Sequence, residues 1–165
     1  MGLGRGKLIS ASILVATALS CAILLPAMAG PGPPPVEIYV AKKPPGPHEQ
    51  TITSKVRPGK SKLFYFLVFT SPPEDTRLIL NEIDKPGKRY SVRWFKGEGD
   101  DGNDVTDKIT RNNGAVFANG GSESFTAKVT RKKAGGDGFC LSLIAEVDGA
   151  SNAAFVGLDG ESCTI

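Results

Sequence analysis

Apolar and polar residues alternate with period two along most of the chain after Glu49, and turn-forming residues recur roughly every 8–12 residues. The clearest examples are Phe125–Val129 and Phe139–Val147, where every second residue is apolar. Such alternation puts one face of a strand in a core and the other in solvent. The sequence shows no helical stripe of useful length. It therefore predicts an all-β fold, a single antiparallel β-sandwich of about seven to nine strands.

The strand predicted at Lys62–Thr70 departs from this pattern because both of its faces are apolar. We expect such a strand to be buried on both faces or to lie against a second layer. The single tryptophan, Trp94, lies in the next clearly alternating segment on a face with other apolar residues. We interpret it as a core residue rather than a platform for stacking sugars.

The first 29 residues have the layout of a secretory signal peptide. Arg5 and Lys7 precede an uncharged apolar run, Leu8–Ala29, which closes on the small residues of Ala27-Met28-Ala29. Cleavage after residue 29 predicts a secreted or cell-surface protein. Two alternatives would keep the chain on a membrane. The segment could stay uncleaved, since it is long enough to span a bilayer, or the chain could be lipidated at Cys21.

Residues 30–48 are rich in proline, which holds the backbone extended and removes hydrogen-bond donors. We interpret them as a stiff leader that contains one edge strand, Val36–Ala41. An edge strand of this kind could pair within the domain or with another chain. The sandwich itself is predicted over residues 49–165.

The charge of the chain argues against a nucleic-acid partner. The formal net charge is +3 at pH 7, and removal of Arg5 and Lys7 would leave about +1. One basic cluster, Arg131-Lys132-Lys133, lies at the end of a predicted strand. For this cluster a solvated strand end is favoured over a polyanion site.

Two cysteines, Cys140 and Cys163, follow the predicted signal peptide. An even pair in an exported chain predicts a disulfide. A hairpin centred near Ser151 would place the two cysteines opposite each other on the outer face of the sheet. The bond would then clip the carboxyl-terminal tail to the neighbouring strand instead of crossing the core.

A polar loop at residues 98–107 is the one segment that invites a chemical interpretation. Its oxygen-bearing side chains could in principle bind calcium. These candidates are Asp100, Asp101, Asn103, Asp104 and Asp107. Their spacing does not match an EF-hand loop, so a solvated turn is the favoured interpretation. Calcium apart, no cofactor is expected.

No catalytic constellation emerges from the sequence. The chain has a single histidine, His48, in the proline-rich leader, whereas a serine hydrolase needs a base beside its nucleophile. A small hydrolase using paired carboxylates of the loop at 98–107 is the alternative, although such chemistry needs two acids facing each other across a cleft. We therefore expect a protein that is not an enzyme.

The string Tyr90–Trp94, followed by Asp104-Val105-Thr106 and by Asn119-Gly120-Gly121, resembles a family of bacterial secreted modules. These are the immunoglobulin-like and fibronectin type III-like β-sandwiches related to cell-adhesion domains. The resemblance covers roughly Glu49–Leu158. It implies a non-catalytic interaction or structural module of the cell surface or extracellular space.

The partner of such a module is expected to be an extracellular protein or a polysaccharide. Loops at one end of the sandwich are candidate binding segments, in particular at Asn112, Asn113 and Asn119. A carbohydrate-binding module is an alternative, and it would display a flat row of exposed aromatic side chains. The aromatics that the core could spare are Tyr39, Phe95, Phe117 and Phe155.

Overall fold

A computed structural model of the chain describes residues 36–71, 77–81, 86–110, 114–118, 121–147 and 149–163, and for 77–81 and 115–118 it describes the backbone. The predicted signal peptide lies outside the described residues. Within them the chain forms ten strands and one short helix. The elements are β1 Val36–Ala41, β2 Thr51–Ser54, β3 Ser61–Thr70, β4 Arg77–Asn81, β5 Tyr90–Lys96, β6 Asn103–Asp104, α1 Thr106–Ile109, β7 Ala115–Ala118, β8 Gly121–Arg131, β9 Phe139–Val147 and β10 Ala150–Leu158.

The strands form two five-stranded sheets. Sheet A has the order β1-β3-β8-β5-β6 and sheet B the order β2-β10-β9-β4-β7. The predicted all-β sandwich is therefore confirmed. The strands β1-β3-β8-β5 and β10-β9-β4 reproduce the two sheets of a seven-stranded immunoglobulin-like sandwich, and β2, β6 and β7 are added at the edges.

One strand pairing departs from the antiparallel prediction. Strand β2 runs parallel to β10, with Thr51 opposite Phe155, whereas the other described strand pairs are antiparallel. A hairpin forces its two strands to be antiparallel, but β2 and β10 are separated by most of the domain. Their relative direction is therefore decided by how the chain crosses from sheet A to sheet B after β1.

The core forms between the inner faces of the two sheets, as the alternation predicted. Its residues in β5, β8, β9 and β10 are almost fully buried: Trp94, Phe125, Ala127, Val129, Leu141, Leu143, Ala145, Val147, Val156 and Leu158. The ring of Trp94 packs 5.1 Å from that of Phe66, measured between centroids. Trp94 is thus a core residue, as expected.

Strand β3 is buried on one face, which packs in the core against sheet B, so the structure shows the expected second layer and not burial on both faces. Its inner residues Phe64, Phe66 and Val68 are at most 1% exposed. On the outer face Tyr65 is half-buried and Phe69 is 41% exposed. Apolar residues at the outer positions of a strand do not by themselves predict burial. Whether another layer covers them is decided by the neighbouring elements of the fold.

Strand β1 completes sheet A within the same chain. It pairs antiparallel with β3 from Val36 opposite Thr70 to Ala41 opposite Tyr65. Its inner side chains, Val36, Ile38 and Val40, belong to the main core cluster. The predicted edge strand thus pairs inside the domain, and a sandwich that started at Glu49 would leave out part of this core.

The structure contains the predicted disulfide between Cys140 and Cys163, whose Cα atoms are 5.6 Å apart. The predicted register is wrong, because Cys140 lies opposite Gly157. After β10 the chain reverses at Asp159, where the main-chain N–H of Glu161 donates to the carbonyl of Leu158 (3.2 Å). This reversal, and not a continued strand, brings Cys163 back to Cys140.

Gly157 makes room for the returning tail. A Cβ atom at this position would lie 2.1 Å from the main-chain oxygen of Glu161. Any larger residue would therefore push the tail away from the sheet and away from Cys140.

We expect the double variant Cys140→Ser/Cys163→Ser to lose about 3 kcal/mol of unfolding free energy, from the loop-entropy estimate for a closed loop of 23 residues. Urea unfolding measures this loss. Hydrogen exchange should show faster exchange in residues 159–163, while β8 and the part of β9 that follows Cys140 stay protected, since their strand pairing does not depend on the bond. Equal unfolding midpoints for the variant and the oxidised protein would contradict the expectation. The core variant Leu143→Ala is the control and should weaken protection throughout.

Candidate functional site

The acidic loop, residues 97–102, folds back over the outer face of β8. The main-chain N–H of Gly97 donates to the carbonyl of Ser124 (2.8 Å), and that of Gly99 donates to Thr126 Oγ1 (3.0 Å). The hydroxyl of Thr126 in turn donates to the carbonyl of Gly97 (2.8 Å) and is fully buried under the loop. The loop is therefore fastened to sheet A.

Two of the candidate metal ligands, one in the acidic loop and one in β6, have cationic partners instead. Lys128 Nζ donates to Asp100 Oδ2 (2.5 Å), and this hydrogen bond lowers the pKa of Asp100. Asp104 accepts from the hydroxyl (2.6 Å) and the main-chain N–H (3.0 Å) of Thr106, and it pairs with Arg93. These interactions, led by the Thr106 hydroxyl, lower the pKa of Asp104 to about 2.

The remaining candidates are spread over separate elements. Asp101 lies beside Gly99 in the loop, Asn103 is in β6, and Asp107 is in the first turn of α1. Among the described residues, no group of three or more His, Cys, Asp or Glu side chains is placed to hold a metal ion. Calcium binding here stays a prediction. Asn112, Asn113 and Asn119 lie outside the described residues.

The outer face of sheet A carries an aromatic strip that consists of Tyr39, Tyr65, Leu67 and Phe69. Tyr39 of β1 lies opposite Leu67 of β3, and its ring meets that of Phe69 edge-on at 6.2 Å. The hydroxyl of Tyr39 donates to Glu37 (2.9 Å). A row of exposed aromatics is the mark of the alternative function, a carbohydrate-binding module, and Tyr39 is the candidate for that row that lies in this strip.

Two of the other aromatics that the sequence suggested do not join the strip. Phe95 and Phe155 are buried, with 3% and 8% exposure, and the side chain of Phe117 lies outside the described part. The sequence interpretation missed Tyr65 and Phe69. No local signal identifies them, because β3 is apolar on both faces and its outer face is recognised only from its pairing in the fold: Tyr65 lies opposite Thr126, and Phe69 opposite Ser122.

A groove with a volume of about 250 Å³ lies on this face and includes part of the strip. Its floor is Tyr65, Leu67 and Ser124. One wall is a proline-rich arm, residues 42–48, and the other is Glu98 of the acidic loop. From the arm come Pro44, Pro45 and His48.

The polar side chains of the groove have no partner within the described part of the chain. His48, Tyr65, Glu98 and Ser124 make no side-chain hydrogen bond there. Such groups can bond to a ligand without first breaking a protein contact. His48, Glu98 and Ser124 do not hydrogen-bond one another in the part of the chain that the structure describes.

None of the helices in the described ranges is long and apolar enough to cross a membrane.

No protein-family model matches this sequence. No curated protein sequence matches it either.

Several solved structures show a distant likeness. A family 123 glycoside hydrolase from Clostridium perfringens aligns at 10% identity with a TM-score of 0.46, over 74% of this chain but only 26% of the hydrolase. The PapD-like domain 7 of human CEP192 aligns at 11% identity with a TM-score of 0.44, over 89% of this chain and 99% of that domain. BcpA, the major pilin subunit of Bacillus cereus, aligns at 8% identity with a TM-score of 0.42, over 76% of this chain and 40% of the pilin. These likenesses are too distant to support a function.

Proposed function

We propose that this chain is a non-catalytic, exported binding module of the bacterial cell surface or extracellular space, and that it binds a neutral polysaccharide in the groove of sheet A. The observation that carries the proposal is the groove itself, with its tyrosine floor and its unpartnered polar side chains. Export is supported by the amino-terminal segment and by the disulfide, since such bonds persist in oxidising compartments.

The chemistry of the groove matches that of a sugar ring. A pyranose presents C–H bonds on its faces and hydroxyl groups around its edge. Tyr65 and Leu67 offer an apolar surface for a face of the ring. His48, Glu98 and Ser124 can donate to or accept from the hydroxyl groups. The groove is open to solvent, so a saccharide longer than one ring can extend out of it.

We expect the variant Tyr65→Ala to bind at least tenfold more weakly, which corresponds to about 1.4 kcal/mol. The mature chain is titrated with soluble cello-, xylo- and chito-oligosaccharides by calorimetry. Phe69→Ala is the matched control, because Phe69 lies on the same face of β3 but does not line the groove. The control should bind like the unchanged protein.

Equal binding by Tyr65→Ala and the unchanged protein would reject the groove as the site. If none of the saccharides binds, a neutral polysaccharide is rejected as the ligand. The exposed aromatic strip would then be tested against a protein partner, the other class of ligand expected of an interaction module.

A further inference from the structure

The end of the sandwich away from the acidic loop gathers basic residues from three separate segments. These are the β2–β3 loop at 55–60, the turn before β5 at 87–89, and the residues that follow β8 at 131–133. We call their exposed cations the basic end: Lys55, Arg57, Lys60, Lys88, Arg89, Lys132 and Lys133.

Main-chain hydrogen bonds hold the three segments together. The N–H of Gly59 donates to the carbonyl of Arg131 (2.7 Å). The N–H of Arg131 in turn donates to the carbonyl of Lys60 (3.1 Å). The N–H of Lys132 donates to the carbonyl of Arg89 (2.6 Å). The backbones that carry these cations are therefore fixed relative to one another before any ligand arrives.

The cations of the basic end are not neutralised by the described acids. None of them forms an ion pair there, whereas Arg93, Lys96, Lys128 and Arg131 each do. Among the described residues, two exposed acids accompany them at this end, Asp137 of the β8–β9 loop and Glu161 of the tail.

The acidic loop is too distant to balance this charge. Strand β5 begins at Tyr90, beside the basic end, and finishes at Lys96, where the acidic loop starts. Seven residues of strand span roughly 20 Å. This is more than twice the distance over which physiological salt screens exposed charges. The domain has a small net charge but a strongly positive end.

The basic end also contains a shaped surface. A cavity of about 340 Å³ is lined by Lys88, Arg89, Tyr90, Asp137 and Phe139 with neighbouring glycines. The guanidinium of Arg89 lies against Gly136, where a Cβ atom would be 1.1 Å from Arg89 Nη1. A guanidinium can pair with two oxygens of one phosphate, and the lysines supply further point charges.

We propose that the basic end binds a linear polyanion whose repeating phosphate groups contact several of the three segments at once. A polymer fits better than a membrane surface, because binding to a bilayer is strengthened by apolar side chains that insert. Among the described residues, Phe69 is the exposed large apolar side chain, and it lies at the far end of β3. This site is separate from the groove and does not depend on its ligand.

The test uses long-chain inorganic polyphosphate immobilised on a sensor surface, with the mature chain titrated at several salt concentrations. We expect saturable binding that weakens steeply with salt, because each phosphate contact releases counterions. The variant Lys132→Glu/Lys133→Glu should bind at least tenfold more weakly. Lys42→Glu/Lys43→Glu is the matched control. It changes the net charge equally at two adjacent exposed lysines of the arm, and it should bind within twofold of the unchanged protein.

A second variant, Lys55→Glu/Arg57→Glu, alters a different segment of the basic end and should show the same loss, so the outcome does not rest on the folding of one variant. Thermal melting checks that each variant is folded. Equal losses in the control and in both basic-end variants would overturn the proposal, because net charge alone would explain binding. Binding to phosphatidylglycerol vesicles without binding to polyphosphate would also overturn it in favour of a membrane.

Discussion

A chain that begins at Glu49 should have no cooperative unfolding transition, whereas a chain that begins at Pro31 should keep one. The shorter chain lacks β1, which contributes Val36, Ile38 and Val40 to the core. Burial of a side chain of this size stabilises a fold by roughly 1.5–3 kcal/mol. The sum for three such residues is comparable to the whole stability of a small domain, about 5–15 kcal/mol.

Loss of β1 would also leave an apolar strand edge without a partner. Strand β3 pairs with β1 along six residues, and its unpaired N–H and C=O groups would then be free to bind other chains. Circular dichroism during heating and size-exclusion chromatography measure both effects. We expect the shorter chain to aggregate. A cooperative melt within a few degrees of the longer chain would show that β1 is dispensable.

A matched pair of point variants tests the same strand without truncation. Ile38 points into the core and Glu37 lies on the outer face. Ile38→Ala should lose about 2–5 kcal/mol, since it leaves a cavity. Glu37→Gln should change stability by less than about 0.5 kcal/mol, as surface substitutions usually do.

The variant Asp159→Asn should lose about 3 kcal/mol of unfolding free energy, because it breaks a network that joins the two sheets. Asp159 accepts from the hydroxyl of Tyr90 (2.6 Å) and from the main-chain N–H of Val56 (3.2 Å), and it pairs with Arg131 (3.1 Å). The side chains of Asp159 and Arg131 are only 8% and 13% exposed. Removal of one partner leaves a nearly buried charge without compensation.

Asparagine is the informative replacement at this position. Asp159 has a φ of 56°, which asparagine tolerates better than most residues. The substitution therefore removes the charge while keeping the turn that returns the tail to Cys140. Urea unfolding measures the loss, and a change below about 0.5 kcal/mol would show that the ion pair adds nothing to stability.

The same network predicts how stability changes at high pH. Burial first, and then the hydrogen bond to Asp159, raise the pKa of Tyr90 to about 12 from its ordinary value of 10.0. The folded state then holds this proton more tightly than the unfolded chain. The stabilisation of the folded state that this proton provides is complete below pH 10. It is lost as the pH rises towards 12, and the loss amounts to roughly 2–3 kcal/mol. Tyr90→Phe should abolish this loss, and Asp159→Asn should reduce it.

Parts of the candidate site could be predicted from sequence, and parts could not. The alternation of Phe125, Ala127 and Val129 predicts that their neighbour Ser124 points outward, and Tyr39 is among the aromatics that the core can spare. The proline-rich composition of residues 30–48 predicts that His48 belongs to a solvated leader. The apolar run at Lys62–Thr70 predicts that Tyr65 is buried. Both line the groove because β1, the arm and β3 are brought together by pairing between distant segments. The basic end arises in the same way, since its three segments, 55–60, 87–89 and 131–133, are far apart in sequence.

The sequence by itself determined the fold class, the inward faces of β8, β9 and β10, and the pairing of Cys140 with Cys163. These follow from local alternation and from a count of cysteines, neither of which depends on long-range geometry. Tertiary structure alone decided that β2 runs parallel to β10, that Cys140 lies opposite Gly157, and that the outer face of β3 meets solvent. The physical reason is that a strand pattern specifies two faces, whereas its neighbours decide its direction, its register and which face they cover.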